Sequence, residues 1–215
     1  MTDVILFAIG SPIAIDAVES CKRRDWRIAA AIRNYPGEVF VGPGVRVIES
    51  SAIGADLVDL PFVVPLFGPA NRRQAQAEAL KLGLRRPAIL VDPTAIVAAS
   101  AELAAGCYVN AGCILGGEVR LGNSVLINRG ANLGHHCRIA DFASVGPGAI
   151  LSGSVSVGEG ALIGSGAIIL PKVTIGAQAR IAPGAVVARD VPEGGFAAGN
   201  PARIRAAMPP AGDDA

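Results

Sequence analysis

Apolar residues recur every six positions through the C-terminal half of the chain. Stepping by six from Val97 through Leu103, Val109 and Leu115 to Ile181 and Val187 meets sixteen consecutive Val, Leu or Ile without a break. A second column lies four residues after each, from Ala101, Cys107 and Cys113 to Ala185 and Val191, and every member is Ala, Cys or Val. Two inward positions separated by one residue describe a short strand whose side chains alternate across a sheet. The remaining residues of each hexapeptide form a corner, often led by glycine (Gly116, Gly134, Gly146, Gly164). Three such units close a triangular coil, and successive coils stack as parallel strands about 4.8 Å apart. An amphipathic helix would need apolar spacings of three and four. The pattern therefore predicts a smooth-sided parallel prism over residues 97–190, about five coils tall, with Leu133 and Cys137 inside.

The first 88 residues follow a different pattern. Residues 3–9 are an apolar run suited to a buried strand, and Ser11-Pro12 offers an N-cap and first turn for a helix over 13–24. Residues 27–32 and 62–67 read as further strands, the latter weakened by Pro65. Asn71 is placed to cap a helix over 72–82 that stops at Gly83, and residues 88–91 read as a last strand leading into the prism. Strand–helix–strand order predicts a small α/β, Rossmann-like domain with a ligand crevice at the carboxyl ends of its strands. Its first turn, Ile9-Gly10-Ser11-Pro12, has one glycine where a phosphate-binding turn has several. A helix N-terminus attracts anions without it, so a nucleotide-type ligand and a purely structural domain both stay open. The expected domains are 1–88, 89–195 and a closing turn and tail over 196–215.

Composition sharpens this division. Of nine aromatic residues six precede residue 89, whereas twenty of the 27 glycines follow it. The C-terminal core is therefore built from thin layers of small and aliphatic side chains. With 51% hydrophobic and 17% charged residues the chain is too apolar for disorder. A formal charge of +1 without a basic patch argues against nucleic acid or an anionic membrane as partner. No apolar run approaches the ~18 residues of a membrane span, and no basic segment precedes an apolar stretch at the N-terminus. A cytoplasmic protein is expected.

The two histidines, His135 and His136, are adjacent and fall on neither inward column, so both belong to a corner of the prism. A metal site needs more ligands than this pair, and none is expected. Cys107, Cys113 and Cys137 occupy the small inward column, Cys21 the first helix, and no two stack for a disulfide. Residues 18 apart stand one above the other. Gly153 thus lies one coil beyond His135, Pro147, Ser165 and Pro183 stack on another edge, and Ser144 stacks with Leu162 on a flat face. Between such small residues a narrow, long ligand such as a pantetheine arm fits along the prism.

The segment Asn128-Arg129-Gly130-Ala131-Asn132-Leu133-Gly134-His135-His136-Cys137-Arg138-Ile139-Ala140-Asp141-Phe142, with Gly153 and the closing Gly199-Asn200-Pro201-Ala202-Arg203, resembles the sialic acid O-acetyltransferase family of hexapeptide-repeat acyltransferases. That family has a left-handed parallel β-helix and includes N-acetyltransferases of nucleotide-linked amino sugars in bacterial surface-polysaccharide biosynthesis. The resemblance covers nearly the whole chain and implies a homotrimer, with acetyl-CoA as co-substrate between adjacent prisms and the nucleotide sugar held by the N-terminal domain. It implies that His135 is the general base, with His136 where relatives carry an acid. It implies further that Ser144, Gly153, Ser165, Pro183 and Arg203 touch acetyl-CoA, and that Asn128 lies near the acceptor sugar. Gly10, Ser11, Asn34 and Gly68, at the ends of the N-terminal strands, complete the expected acceptor site. The alternative is a non-catalytic prism that binds sugar nucleotides or serves as a scaffold.

Overall fold

Alternation along one buried strand organises the N-terminal half. In the computed structural model of the protein, which describes residues 2–205, Val4 and Leu6 of β1 (Thr2–Phe7) join one apolar cluster while Ile5 and Phe7 join another. A strand buried on both sides needs a covering layer on each. Helix α1 (Ile13–Arg23) covers one side with Ala14, Ala17, Val18 and Cys21, and α2 (Pro69–Lys81) covers the other with Ala75 and Ala79. With β2 (Trp26–Arg33), β3 (Val47–Glu49), β4 (Pro61–Val63) and β5 (Arg86–Pro87), β1 forms a wholly parallel sheet in the order β3-β2-β1-β4-β5.

Local chemistry moves several boundaries from those the pattern predicts. β4 stops at Val63, two residues before Pro65, which has no N–H to continue a ladder. α2 starts at Pro69, a residue preorganised for a first helical turn, after an extended Gly68; Asn71 therefore lies inside the helix. Residues 88–91 do not form one strand, since β5 closes the sheet and Leu90–Val91 is already the first rung of the prism. β3 escapes the pattern because it has three residues, none of them buried.

From Leu90 the chain winds through two-residue strands into three parallel faces. The first stacks the strands that begin at residues 90, 108, 126, 144, 162 and 180, followed by Phe196–Ala198. The second begins at 96 and runs by eighteens to 186, and the third runs from 102 to 174 with a further bridge at Val191. The 18-residue register is kept on every face, as in Asn132↔Ile150, Arg138↔Ser156 and Leu162↔Arg180. The prism is thus taller than the five coils expected. A rung precedes Val97, and another, Phe196–Ala198, follows after the chain has left the six-residue phase. Strand Arg203–Arg205 then folds back antiparallel on it, shielding the last rung's edge. Residues 206–215 of the expected tail lie outside the described residues. Both inward columns are buried from Cys107 onward, including Leu133 and Cys137.

The outward columns make the three faces unlike. On the first, Leu90, Tyr108 and Leu126 are buried in the cluster that also contains α1 and one side of the sheet; this is the docked face. The second presents Ile96, Ile114, Asn132, Ile150, Ile168 and Val186, with Ile96, Ile114 and Ile150 exposed; this is the aliphatic face. The third presents Glu102, Arg120, Arg138, Ser156 and Thr174 and is the polar face. Among the described residues no helix is long and apolar enough to cross a membrane.

Candidate active site

The histidine pair occupies the corner between the aliphatic strand Asn132–Leu133 and the polar strand Arg138–Ile139, and both side chains are exposed. His136 has φ 60°, the left-handed turn conformation also found at Glu118, Ser154 and Lys172 in the same column. The corner is tied to its neighbours by its backbone: His136 N–H donates to the Gly117 carbonyl at 2.9 Å, and Ser154 N–H to the His135 carbonyl at 2.8 Å. Between the rings, Nδ1 of His135 and Nδ1 of His136 are 3.0 Å apart, with the ring planes at 86°. Nε2 of His135 lies over Gly153, so close that a Cβ there would be 2.6 Å from it. Glycine is what lets the imidazole lie across the coil above.

No cysteine competes as a nucleophile. Burial pushes the Cys21 thiol up to about 12, Cys107 and Cys113 up to about 11, and Cys137 up as well. All four are free and buried. Among the described residues no group of three or more His, Cys, Asp or Glu is placed to hold a metal ion.

The residues expected to touch acetyl-CoA do not gather around one prism. Gly153 is beside His135, whereas Ser165 and Pro183 are exposed on the corner at the other edge of the aliphatic face. Arg203 is exposed in the strand that folds back over the last rung. Ser144 joins none of them. It is fully buried on the docked face, donating to the Phe67 carbonyl at 2.6 Å and accepting from Arg72 at 2.9 Å.

Gly10 and Asn34 do come together, in a cleft of about 540 Å³ at the carboxyl ends of β1 and β2, walled by Tyr35 and by Asn71 and Gln74 of α2. Ser11 follows Gly10 in the turn before α1, and Gly68 is the N-cap of α2, the helix that forms the cleft wall. Asn34 is oriented by its amide, which donates to Glu78 at 2.8 Å. Asn128 lies on the seam between α1 and the prism. Its Oδ1 accepts from Asn110 at 3.0 Å and from Arg129 N–H at 2.8 Å, its Nδ2 makes no hydrogen bond among the described residues, and 7% of the residue is exposed.

Two buried charges that sequence reasoning missed fix the N-terminal unit on the docked face. Arg72 of α2 is buried and donates to six oxygens: the carbonyls of Leu66, Phe67, Ser124, Phe142 and Ala143 and the Ser144 hydroxyl. Burial pushes its guanidinium down to about 9, so it stays protonated at neutral pH. Its place among Ala75 and Ala79 at spacings of three and seven is the signal that marks a cation on the buried stripe. Asp92, one coil below Asn110, accepts from Ser20 at 2.6 Å and Arg23 at 2.6 Å, and from Thr94 at 2.7 Å.

Comparison with known proteins fits this architecture. Residues 154–189 match the family model described as bacterial transferase hexapeptide (six repeats). No curated protein matches significantly by search. Among solved structures, PerB of Caulobacter crescentus in complex with CoA and GDP-perosamine is 30% identical, with a TM-score of 0.85 over 95% of this chain and 97% of that one. A histidine-to-asparagine mutant of perosamine N-acetyltransferase from the same organism, also with CoA and GDP-perosamine, is 29% identical with a TM-score of 0.83, covering 95% and 97%. The acetyltransferase domain of PglB from Neisseria gonorrhoeae, in complex with acetyl coenzyme A, is 27% identical with a TM-score of 0.81, covering 94% and 98%.

Proposed function

The chain belongs to the sialic acid O-acetyltransferase family of hexapeptide-repeat, left-handed β-helix acyltransferases, and from that premise we propose that it transfers the acetyl group of acetyl-CoA to an amine of a nucleotide-linked sugar. One observation carries the reading: an exposed imidazole whose Nε2 faces a bare glycine, in a chain that matches end to end an N-acetyltransferase bound to CoA and GDP-perosamine. In this reading residues 1–88 are a Rossmann-like acceptor domain whose cleft, with Gly10, Ser11, Asn34 and Gly68, takes the nucleotide. The unpaired amide of Asn128 addresses the sugar. Residues 89–195 are the transferase prism, and the turn after 196 brings Arg203 toward the cofactor's phosphates.

His135 takes a proton at Nε2 as the sugar amine attacks the thioester carbonyl. The new N–C bond forms, backbone amides of the corner steady the oxyanion, and the C–S bond then breaks to release the CoA thiolate, which recovers the proton. The raised thiols support direct transfer rather than an acyl-enzyme. An amine, once neutral, needs less help from a base than a hydroxyl does, which favours N- over O-acetylation.

The site is completed by a second copy in a homotrimer. His135 and Gly153 border one edge of the aliphatic face, and Ser165 and Pro183 the other. Packing that face against a neighbour buries the isoleucines and brings the two edges of different copies together around the pantetheine arm. The cytoplasm, where acetyl-CoA is found, is the compartment this chemistry calls for, and four free cysteines suit it.

Thiol release from acetyl-CoA, assayed with GDP-, UDP- and dTDP-linked amino sugars, tests the proposal. One of them should support turnover, and His135→Ala should lower kcat by about 10²–10⁴. Nucleotide-sugar binding without thiol release from any of them returns the scaffold alternative.

A further inference from the structure

Two asparagines stand one above the other on the seam between α1 and the prism, and they are tied to a carboxylate. The 18-residue register places Asn128 one coil above Asn110, and the two are 7% and 0% exposed. Nδ2 of Asn110 donates to Oδ1 of Asn128 at 3.0 Å and, at 3.4 Å, to Oδ2 of Asp16 on α1. Asp16 is held in turn by Nη1 of Arg129, which is 3.0 and 2.9 Å from its two oxygens.

Backbone donors settle which way each amide faces. Ala111 N–H donates to Oδ1 of Asn110 at 2.7 Å, and Arg129 N–H to Oδ1 of Asn128 at 2.8 Å. Turning either amide over would set its NH2 against a backbone N–H, and two donors cannot bond. Asp16 enforces the same sense, because a carboxylate paired with arginine only accepts. The bonds therefore run one way and end in Nδ2 of Asn128, which has no partner among the described residues. Among those residues no fully buried side-chain nitrogen or oxygen lacks a partner, so this Nδ2 belongs to the part of Asn128 that reaches the surface. The next position up the column is Gly146, which has no side chain to meet it.

We propose that Asp16 and Asn110 are positioning residues that present Nδ2 of Asn128 as a fixed, donor-only contact for an oxygen of the nucleotide sugar. This deepens, and rests on, the reading of Asn128 as part of the acceptor site. A nearly buried NH2 costs free energy until a lone pair meets it, so the site selects an acceptor that brings an oxygen there. The sugar amine is the wrong partner, since its lone pair must stay free to attack the thioester. A hydroxyl, ring or phosphate oxygen satisfies the contact.

Titration calorimetry of the full-length protein with GDP-, UDP- and dTDP-linked amino sugars reads this contact without needing turnover. For the sugar nucleotide that binds tightest, Asn128→Ala should raise Kd about five- to twentyfold. Asn128→Asp keeps an oxygen for Asn110 and Arg129 but exchanges the donor for a second oxygen, and should weaken binding at least as much. Asn110→Leu should raise Kd about three- to tenfold and Asp16→Ala about two- to fivefold, with the Kd for acetyl-CoA within about twofold in each. Both act through Asn128. Adding Asn110→Leu to Asn128→Ala should therefore change Kd no further, whereas an independent structural role would add. Additive effects, or wild-type affinity in Asn128→Asp, overturn the proposal. If Asn128→Ala weakens binding while Asn110→Leu and Asp16→Ala do not, the acceptor reading of Asn128 stands and the positioning role fails. If Asn128→Ala leaves Kd unchanged, or no sugar nucleotide binds, both fall.

Discussion

The docked and aliphatic faces of the prism share one inward repeat but differ in everything they show outward. On the docked face Leu90, Tyr108 and Leu126 are at most 1% exposed, while on the aliphatic face Ile96, Ile114 and Ile150 are 66%, 41% and 44% exposed. The covered face also has polar keys, Arg72 and Asp92, each buried and each satisfied by several partners. The aliphatic face has an uncharged column broken by Asn132. Apolar contact is non-directional and sets how much area is buried. Hydrogen-bonded groups with fixed directions set which register is adopted. The N-terminal unit must present its cleft at one position relative to the coils, and a buried fork reading six oxygens holds it there. In the proposed homotrimer, copies related by symmetry would meet the same surface each time, and a stripe of isoleucines would then suffice.

Four substitutions test that contrast, in descending order of effect. Arg72→Ala orphans the carbonyls of two coils and leaves a cavity, and should destabilise the fold by about 3–5 kcal/mol in urea titration. Equal stability to wild type would show that the docked face needs no key. Asp92→Asn should cost about 1–3 kcal/mol at neutral pH. Burial by itself would raise the Asp92 carboxyl, but the bonds from Arg23, Ser20 and Thr94 outweigh it and hold the group well below the usual carboxylate range. A carboxyl depressed in the folded state stabilises above its unfolded pKa of about 4 and loses that contribution as pH falls toward the folded value. The gap between wild type and Asp92→Asn should therefore narrow below about pH 4. A gap constant down to strong acid would refute the linkage. Ile150→Lys should leave the stability of the single chain within about 0.5 kcal/mol while light scattering shows the assembly dissociate. An intact trimer would place the interface elsewhere. Glu102→Ala, which removes the exposed 3.4 Å bridge to Arg120 on the polar face, should change stability by about 0–1 kcal/mol.

Much of this architecture is legible in the sequence. The run from Val97 to Val187 could hardly be satisfied by another architecture, because a period of six with paired inward positions has one packing solution. His135 was legible for the complementary reason: a polar residue that misses both inward columns in so regular a repeat must lie on a corner. Gly153 followed by counting eighteen. Ser144 shows the limit, since its column position placed it correctly on a flat outward face and said nothing of the helix that covers that face. Arg72 was visible only as a charge at a helical position shared with Ala75 and Ala79, and the cleft at Gly10 and Asn34 only as a strand-end crevice.

The sequence by itself determined the repeat, the coil, the inward core and the corner that carries the histidines, because each follows from spacings within a few residues or from a constant 18-residue register. Tertiary structure alone decided which face is covered, where the two buried charges lock it, and that Nδ1 of one imidazole meets Nδ1 of the next. Those outcomes join residues such as Ser20 and Asp92, or Arg72 and Phe142, that are some seventy positions apart. No local period links such pairs. Their meeting depends on how two independently patterned units pack, and the free energy of that packing is a sum over a whole surface that no single stretch of chain contains.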